Sequence, residues 1–262
     1  MPELPEVESF RKYIADTSLH QKIKNVRTAA QGMLIETTDA DLKRILKNNS
    51  FEDTFRHGKF LFVRLRSHGS LMLHFGMTGD LLYYSDNASP KSYVLLFEFD
   101  NGHRLSFSDP RRLGKISLVD DVQAFINKRG YGEDALQISW ESFYTILKKK
   151  RTAIKVSLMD QKVVAGVGNE FSDEILFQTQ VHPASITSRL PEKKLREIYE
   201  SMKSILKEAV NHDADRKKLK HYFFLGNRKA GLRCPGCKGE TEWQTIGGRS
   251  SYFCAACQKL YR

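Results

Sequence analysis

Between Ile23 and Val119 the chain alternates short apolar runs with turn-forming residues. The segments KFLFVRL (59–65), SLMLHF (70–75), YVLLFEF (93–99) and HRLSFSD (103–109) are rich in β-formers and separated by turn chemistry, which predicts strands. Asp100-Asn101-Gly102 lies between the last two, and its Asn-Gly pair favours the positive φ angles of a tight hairpin. The exception is DADLKRILKNN (39–49), where Leu42, Ile45 and Leu46 fall at helical spacing. At the start, Pro5 suits the first position of a helix, with Glu6 and Glu8 near its positive end. Residues 1 to about 125 therefore read as a two-layer β structure fronted by an N-terminal helix.

After Trp140 the period changes. ESFYTILKKK and TAIKVSLMDQ read as helices, and PEKKLREIYESMKSILKEAV (191–210) puts Leu195, Ile198, Met202, Ile205, Leu206 and Ala209 on one face behind a proline start. The β part should pass to the helical part within NKRGYGEDA (127–135). The pattern as a whole predicts an α+β chain.

Composition narrows the class. Of the 262 residues 40% are hydrophobic and 11% aromatic, which excludes a disordered chain, and no run reaches the apolar length of a membrane span. Glu3, Glu6 and Glu8 stand where a signal peptide would carry basic residues, so a cytoplasmic location is expected. The formal charge of +11 is uneven: residues 211–262 hold eleven basic and four acidic side chains. Such a surface attracts polyanions, nucleic acid above all, although lysine-rich surfaces also serve solvation alone.

Two motifs carry candidate chemistry. Cys234-Pro-Gly-Cys237 and Cys254-Ala-Ala-Cys257 are separated by sixteen residues, the spacing of a four-thiolate structural zinc site built on a β-ribbon. Disulfides are disfavoured in a reducing compartment, and an iron centre is the other alternative. The predicted metal is one structural Zn2+, holding a hairpin from which Arg249 projects. In DQKVVAGVGNEFSDEILF (160–177), Gly166 and Gly168 permit a tight path and Asn169 opens the next helix, so free N–H groups and an amide would converge on a spot that binds anions. The plainer alternative is a helix-to-helix corner in which the glycines serve packing.

PELPEVE at the start, LMDQKVVAGVGNEF in the corner and the terminal four-cysteine ribbon with Arg249 together resemble the formamidopyrimidine-DNA glycosylases, bifunctional base-excision repair enzymes related to endonuclease VIII. RHGKFL (56–61), HFGMTG (74–79) and SDPRRLG (108–114) extend the resemblance nearly end to end. It implies an N-terminal β-sandwich (1–127), a helical domain with a helix-two-turns-helix (136–226) and a zinc β-ribbon (227–262). It also implies double-stranded damaged DNA as partner, a monomer, no membrane, and association with the nucleoid through DNA.

By the same resemblance Pro2, freed by removal of Met1, is the nucleophile. A secondary amine gives an iminium that is cationic without protonation, and an α-amine is less basic than a lysine. Glu3 is the implied acid/base and Lys59 the strand lysine that assists elimination. Asn169 and Arg249 are implied phosphate ligands and Lys155 a helical-domain lysine near the lesion. Met77, Arg111 and Leu113 would fill the vacated stack, though rim packing also explains Leu113. The implied reaction removes an oxidised, ring-opened or 8-oxo purine and cleaves the abasic site by β,δ-elimination. Its alternatives are an endonuclease VIII-like activity on oxidised pyrimidines or a non-catalytic damaged-DNA binder.

Two departures stand out. Leu113 replaces a usual aromatic, and the short basic NHDADRKKLKHYFFLG (211–226) stands where oxidised-purine enzymes carry a long Gly/Ser/Thr-rich covering loop.

Overall fold

The computed structural model describes residues 2–85 and 92–262. By contact the chain divides into two units, one of Pro2 and Glu6–Gly130, the other of Glu3–Pro5 and Tyr131–Arg262.

The first unit contains most of α1 (Leu4–Ser18), then β1 (Ile23–Thr28), α2 (Asp39–Leu46), β2 (Phe51–His57), β3 (Phe60–Leu65), β4 (Ser70–His74), β5 (Asp80–Ser85), β6 (Leu95–Phe99), β7 (His103–Ser108), β8 (Lys115–Val119) and α3 (Val122–Arg129). The strands form two antiparallel sheets of four, ordered β1-β6-β7-β5 and β2-β3-β4-β8. Their inner faces share one core. Val26, Leu95, Phe97 and Phe107 come from one sheet, and Phe51, Leu61, Val63 and Leu73 from the other. Phe51 meets Phe97 edge-on across it at 5.1 Å. The apolar stripe of α1, Val7, Phe10 and Ile14, closes against the same core.

Two local expectations change. The β6–β7 hairpin has a three-residue loop rather than a two-residue Asn-Gly turn: Gly102 N–H donates to the Phe99 carbonyl (3.1 Å), and only Gly102 (φ 82°) is left-handed. A type I turn followed by a left-handed glycine matches the strand twist as well as the tighter form does. α3 is additional to the elements read from the sequence. Its apolar content is only Phe125 and Ile126 on the buried side, and its ends are set by caps, with the Asp121 side chain accepting from Ala124 N–H and left-handed Gly130 stopping it.

The second unit contains α4 (Trp140–Leu147), α5 (Ile154–Met159), α6 (Asn169–Gln178), α7 (Glu192–Asn211) and the hairpin β9 (Glu242–Ile246) with β10 (Arg249–Phe253). α7 buries the six residues its spacing selects. The hairpin turns through Gly247 and Gly248, both left-handed (φ 57° and 74°), as a two-residue primed turn requires. Among the described residues no helix is long and apolar enough to cross a membrane.

Candidate active site

In the helical unit two of the candidate residues, Glu3 and Asn169, meet at the start of α6. Glu3 is only 3% exposed, and both its oxygens are held by backbone: Gly168 N–H donates to Oε2 (2.6 Å) and Glu170 N–H to Oε1 (2.8 Å). Leu4 N–H donates to the Gly166 carbonyl (3.1 Å), fixing the residue that follows. The glycines are explained by this docking. A Cβ on Gly168 would lie 2.3 Å from the Glu3 carboxyl carbon, and one on Gly166 (φ 118°) would lie 2.5 Å from Leu4 Cδ1. The expected anion at the corner is therefore, for these two N–H groups, the chain's own Glu3 carboxylate at a helix N-terminus, with both oxygens acting as acceptors. Asn169 begins α6 as expected. Its side chain makes no hydrogen bond among the described residues, and its Oδ1 is buried.

Pro2 is half-buried and directly precedes Glu3 in the chain. Arg249 opens β10, exposed, with no side-chain partner among the described residues.

Lys155, expected as a helical-domain lysine near the lesion, lies inside the unit. It is completely buried, and its ammonium donates to Asp173 Oδ1 (2.5 Å) and to the Ser250 carbonyl (3.2 Å). α5 is a six-residue helix enclosed on nearly every side, so its polar position is enclosed too. Burial pushes the Lys155 ammonium down to about 8, against the opposing pull of Asp173.

In the β unit, Lys59 is 7% exposed and sits in the tight β2–β3 turn after left-handed Gly58. That turn is fastened by Arg56, which donates from Nε to Glu8 Oε2 (3.0 Å) and from a terminal nitrogen to the Gly58 carbonyl (3.1 Å). His74 pairs with Phe60 across β3–β4 and is lowered to about 4, by burial first and then by the Lys59 charge. Its Nδ1 accepts from Gly76 N–H (3.3 Å), as a neutral ring can.

Met77 (40% exposed), Arg111 and Leu113 (45%) stand out from two loops of this unit that are locked together. Buried Asp109 accepts from Thr78 Oγ1 (2.5 Å) and Gly114 N–H (2.7 Å), and Arg111 N–H donates to Thr78 Oγ1 (3.3 Å). A Cβ on Gly76 would strike the backbone of Leu113 and Gly114. Thr78 and Asp109 lie in quoted motifs, but their lone polar side chains give no sign in sequence that they bond to each other.

The four cysteine sulfurs all lie within 4.8 Å of one another. The Cys234–Cys257 and Cys237–Cys254 separations are 3.8 and 3.5 Å, far beyond a disulfide bond of about 2.05 Å. A tetrahedron with Zn–S distances of about 2.3 Å has edges of about 3.8 Å, so these donors fit a closed structural zinc site.

Segment 211–226 is pinned rather than free-standing. Buried Glu174 accepts from the N–H groups of Phe223 (3.3 Å), Phe224 (2.5 Å) and Leu225 (3.2 Å), Arg216 pairs with Glu170 (2.6 Å), and Leu219 and Phe224 enter the core. Burial raises the Glu174 carboxyl.

The chain matches the formamidopyrimidine-DNA glycosylase N-terminal domain over residues 1–116 and the H2TH domain of the same enzymes over 132–221. A formamidopyrimidine-DNA glycosylase of Solibacter usitatus is 31% identical, across 99% of this chain and 100% of the relative. The fold resembles Lactococcus lactis formamidopyrimidine-DNA glycosylase bound non-covalently to DNA containing an abasic (AP) site, with TM-score 0.90, 26% identity, and 98% and 99% of the two chains covered. It also resembles MutM in complex with DNA containing carbocyclic 8-oxo-G, with TM-score 0.91, 26% identity, and 98% and 100% covered.

Proposed function

Because the chain belongs to the formamidopyrimidine-DNA glycosylase family of bifunctional glycosylases and AP lyases, we propose that it excises oxidised purines from duplex DNA and cleaves the abasic product through a Schiff base on Pro2. The observation that carries this reading is the fixed carboxylate of Glu3, peptide-bonded to the proposed nucleophile and aimed by two N–H donors of the α6 corner.

The Pro2 nitrogen attacks C1′ of the flipped nucleotide as the C1′–N bond breaks, and the departing base takes up a proton from solvent. Glu3 accepts the proton released by the amine and returns it to the sugar ring oxygen as the C1′–O4′ bond opens, leaving a cationic iminium. That iminium withdraws electrons from C2′, whose proton is lost as the 3′ phosphate leaves. A second elimination releases the 5′ phosphate. Lys59, held by the Glu8–Arg56 link, is the group assigned to the leaving phosphate oxygens. Asn169 and Arg249 are phosphate ligands, and Met77, Arg111 and Leu113 fill the gap left by the extruded base. Cys234, Cys237, Cys254 and Cys257 hold one Zn2+, which supplies structure to the hairpin and no chemistry.

Borohydride trapping on an abasic-site duplex tests the nucleophile. The free N-terminus should give a covalent adduct, Pro2→Gly should slow its formation at least about tenfold, and an N-terminal extension should abolish it. An extended protein that traps at the wild-type rate would overturn the assignment and favour a different nucleophile.

A second reading concerns the lesion. Because Glu174 and Arg216 tie segment 211–226 down, a mobile cover over the extruded base is not supplied by this stretch, which favours acceptance of oxidised pyrimidines beside purines. Excision rates on duplexes carrying one oxidised base each, opposite each normal base, separate the two.

A further inference from the structure

We propose that Lys155, Asp173 and Arg228 form a positioning cluster that fixes the β10 backbone at Ser250 and so aims the Arg249 guanidinium at DNA phosphate. Lys155 then serves DNA binding without touching DNA. The inference rests on the reading of Arg249 as a phosphate ligand.

Two cations converge on the same two acceptors. Lys155 reaches Asp173 Oδ1 and the Ser250 carbonyl, while Arg228 reaches Asp173 Oδ2 through two nitrogens (2.8 and 3.2 Å) and the Ser250 carbonyl at 2.9 Å. Ser250 directly follows Arg249. β10 belongs to a ribbon of only two strands, which has little stability of its own, and an unpaired edge carbonyl needs a partner.

The same element is braced at two further points. The Arg228 guanidinium covers the Tyr252 ring at 5.1 Å, and a Cβ on Gly247 would lie 2.5 Å from Val156, the neighbour of Lys155 on α5. Ser250 and Gly247 bracket Arg249, so both sides of that residue are referred to α5 and α6.

Stability alone does not call for this arrangement. Lys155 and Asp173 are fully buried charges, and an apolar pair of similar volume commonly holds a core at least as well. What an apolar pair lacks is directionality: a carbonyl gripped by two donors fixes the rotation of one peptide plane, and with it the course of the strand beside Arg249.

The test is a double-mutant cycle on affinity for a duplex carrying a tetrahydrofuran abasic analogue, measured by anisotropy over a salt series. Zinc content and unfolding temperature are checked for each variant. Arg249→Ala should weaken binding on every sequence and lower the salt slope by about one phosphate's worth. Lys155→Met should do the same in the wild-type background, yet change affinity less than about twofold once Arg249 is alanine. Arg228→Gln, at a 21% exposed side chain that tolerates loss better, repeats the cycle if Lys155→Met does not fold.

Equal losses in both backgrounds would overturn the proposal, because Lys155 or Arg228 would then act independently of Arg249. An Arg249→Ala protein with unchanged affinity and slope would instead sink the phosphate reading itself, and the positioning role with it.

Discussion

Adding one methyl group at Gly168 isolates the contact on which the proposed chemistry depends. Gly168 has φ −128°, open to any L-residue, so Gly168→Ala carries no backbone strain of its own. Its cost is collision: the new Cβ would lie 2.3 Å from Glu3 Cδ, 2.5 Å from Oε1 and 2.6 Å from Oε2. Glu3 must leave, or the corner must shift, and either breaks the bonds from Gly168 and Glu170. Hydrogen bonds to a charged group contribute about 1.5–3 kcal/mol each, so losing both costs the corner about 3–6 kcal/mol, less whatever solvation Glu3 regains. A catalytic group displaced by about an ångström typically costs on the order of 100-fold in rate. Single-turnover cleavage of an abasic-site duplex and urea unfolding measure the two effects, and the same methyl group introduced into a Glu3→Ala background supplies the control. With the carboxylate gone, Gly168→Ala should have little further effect on stability. If it destabilises both backgrounds equally, or leaves both rate and stability within error of wild type, the glycine is not there to admit Glu3.

Two further outcomes follow from the site. His74 has a pKa of about 4 in the folded chain against 6.5 for a free side chain, so the unfolded chain takes up the proton first as pH falls. The stability contributed by neutral His74 is complete above about pH 6.5 and is lost towards pH 4, by about 3 kcal/mol at most. Urea unfolding between pH 7 and 4 should show that slope and His74→Gln should flatten it, with parallel curves counting against it. Cys257→Ser should release one equivalent of zinc by elemental analysis and lower duplex affinity on the order of tenfold, while borohydride trapping at saturating DNA persists. A trapping step that stops at saturating DNA would mean that the metal site does more than hold the hairpin.

Much of this architecture is legible in local pattern, and the exceptions share a cause. The six buried residues of α7 repeat every three to four positions, the four cysteines declare their cluster by spacing, and Asn169 is visible as a helix start between glycines and an apolar run. The partner of the Gly168 N–H is not visible, because it lies 165 residues earlier and no periodicity connects them. The burial of Lys155 is hidden for a related reason. A lysine on a short helix suggests exposure, and only the tertiary enclosure of α5, with Asp173 eighteen residues away, makes it a buried ion. At Asn101 the local signal is real but ambiguous: two- and three-residue hairpin loops use overlapping residues, and the register of β6 with β7 decides between them.

α6 gathers buried and half-buried acidic residues in a strongly basic protein. Its first N–H groups hold Glu3; Glu170, one residue into the helix, pairs with Arg216; Asp173 draws Lys155 and Arg228 towards Ser250; and Glu174 gathers three consecutive N–H groups of the 223–225 turn. Together the four links tie three segments, the Glu3 carboxylate, the basic stretch 211–226 and the β9–β10 hairpin, to one ten-residue element. Three separate loops would each pay ordering entropy and drift independently. Referred to one helix, their relative positions are fixed by a single set of backbone hydrogen bonds, the precision that the proposed proton transfer beside a bound phosphate would require.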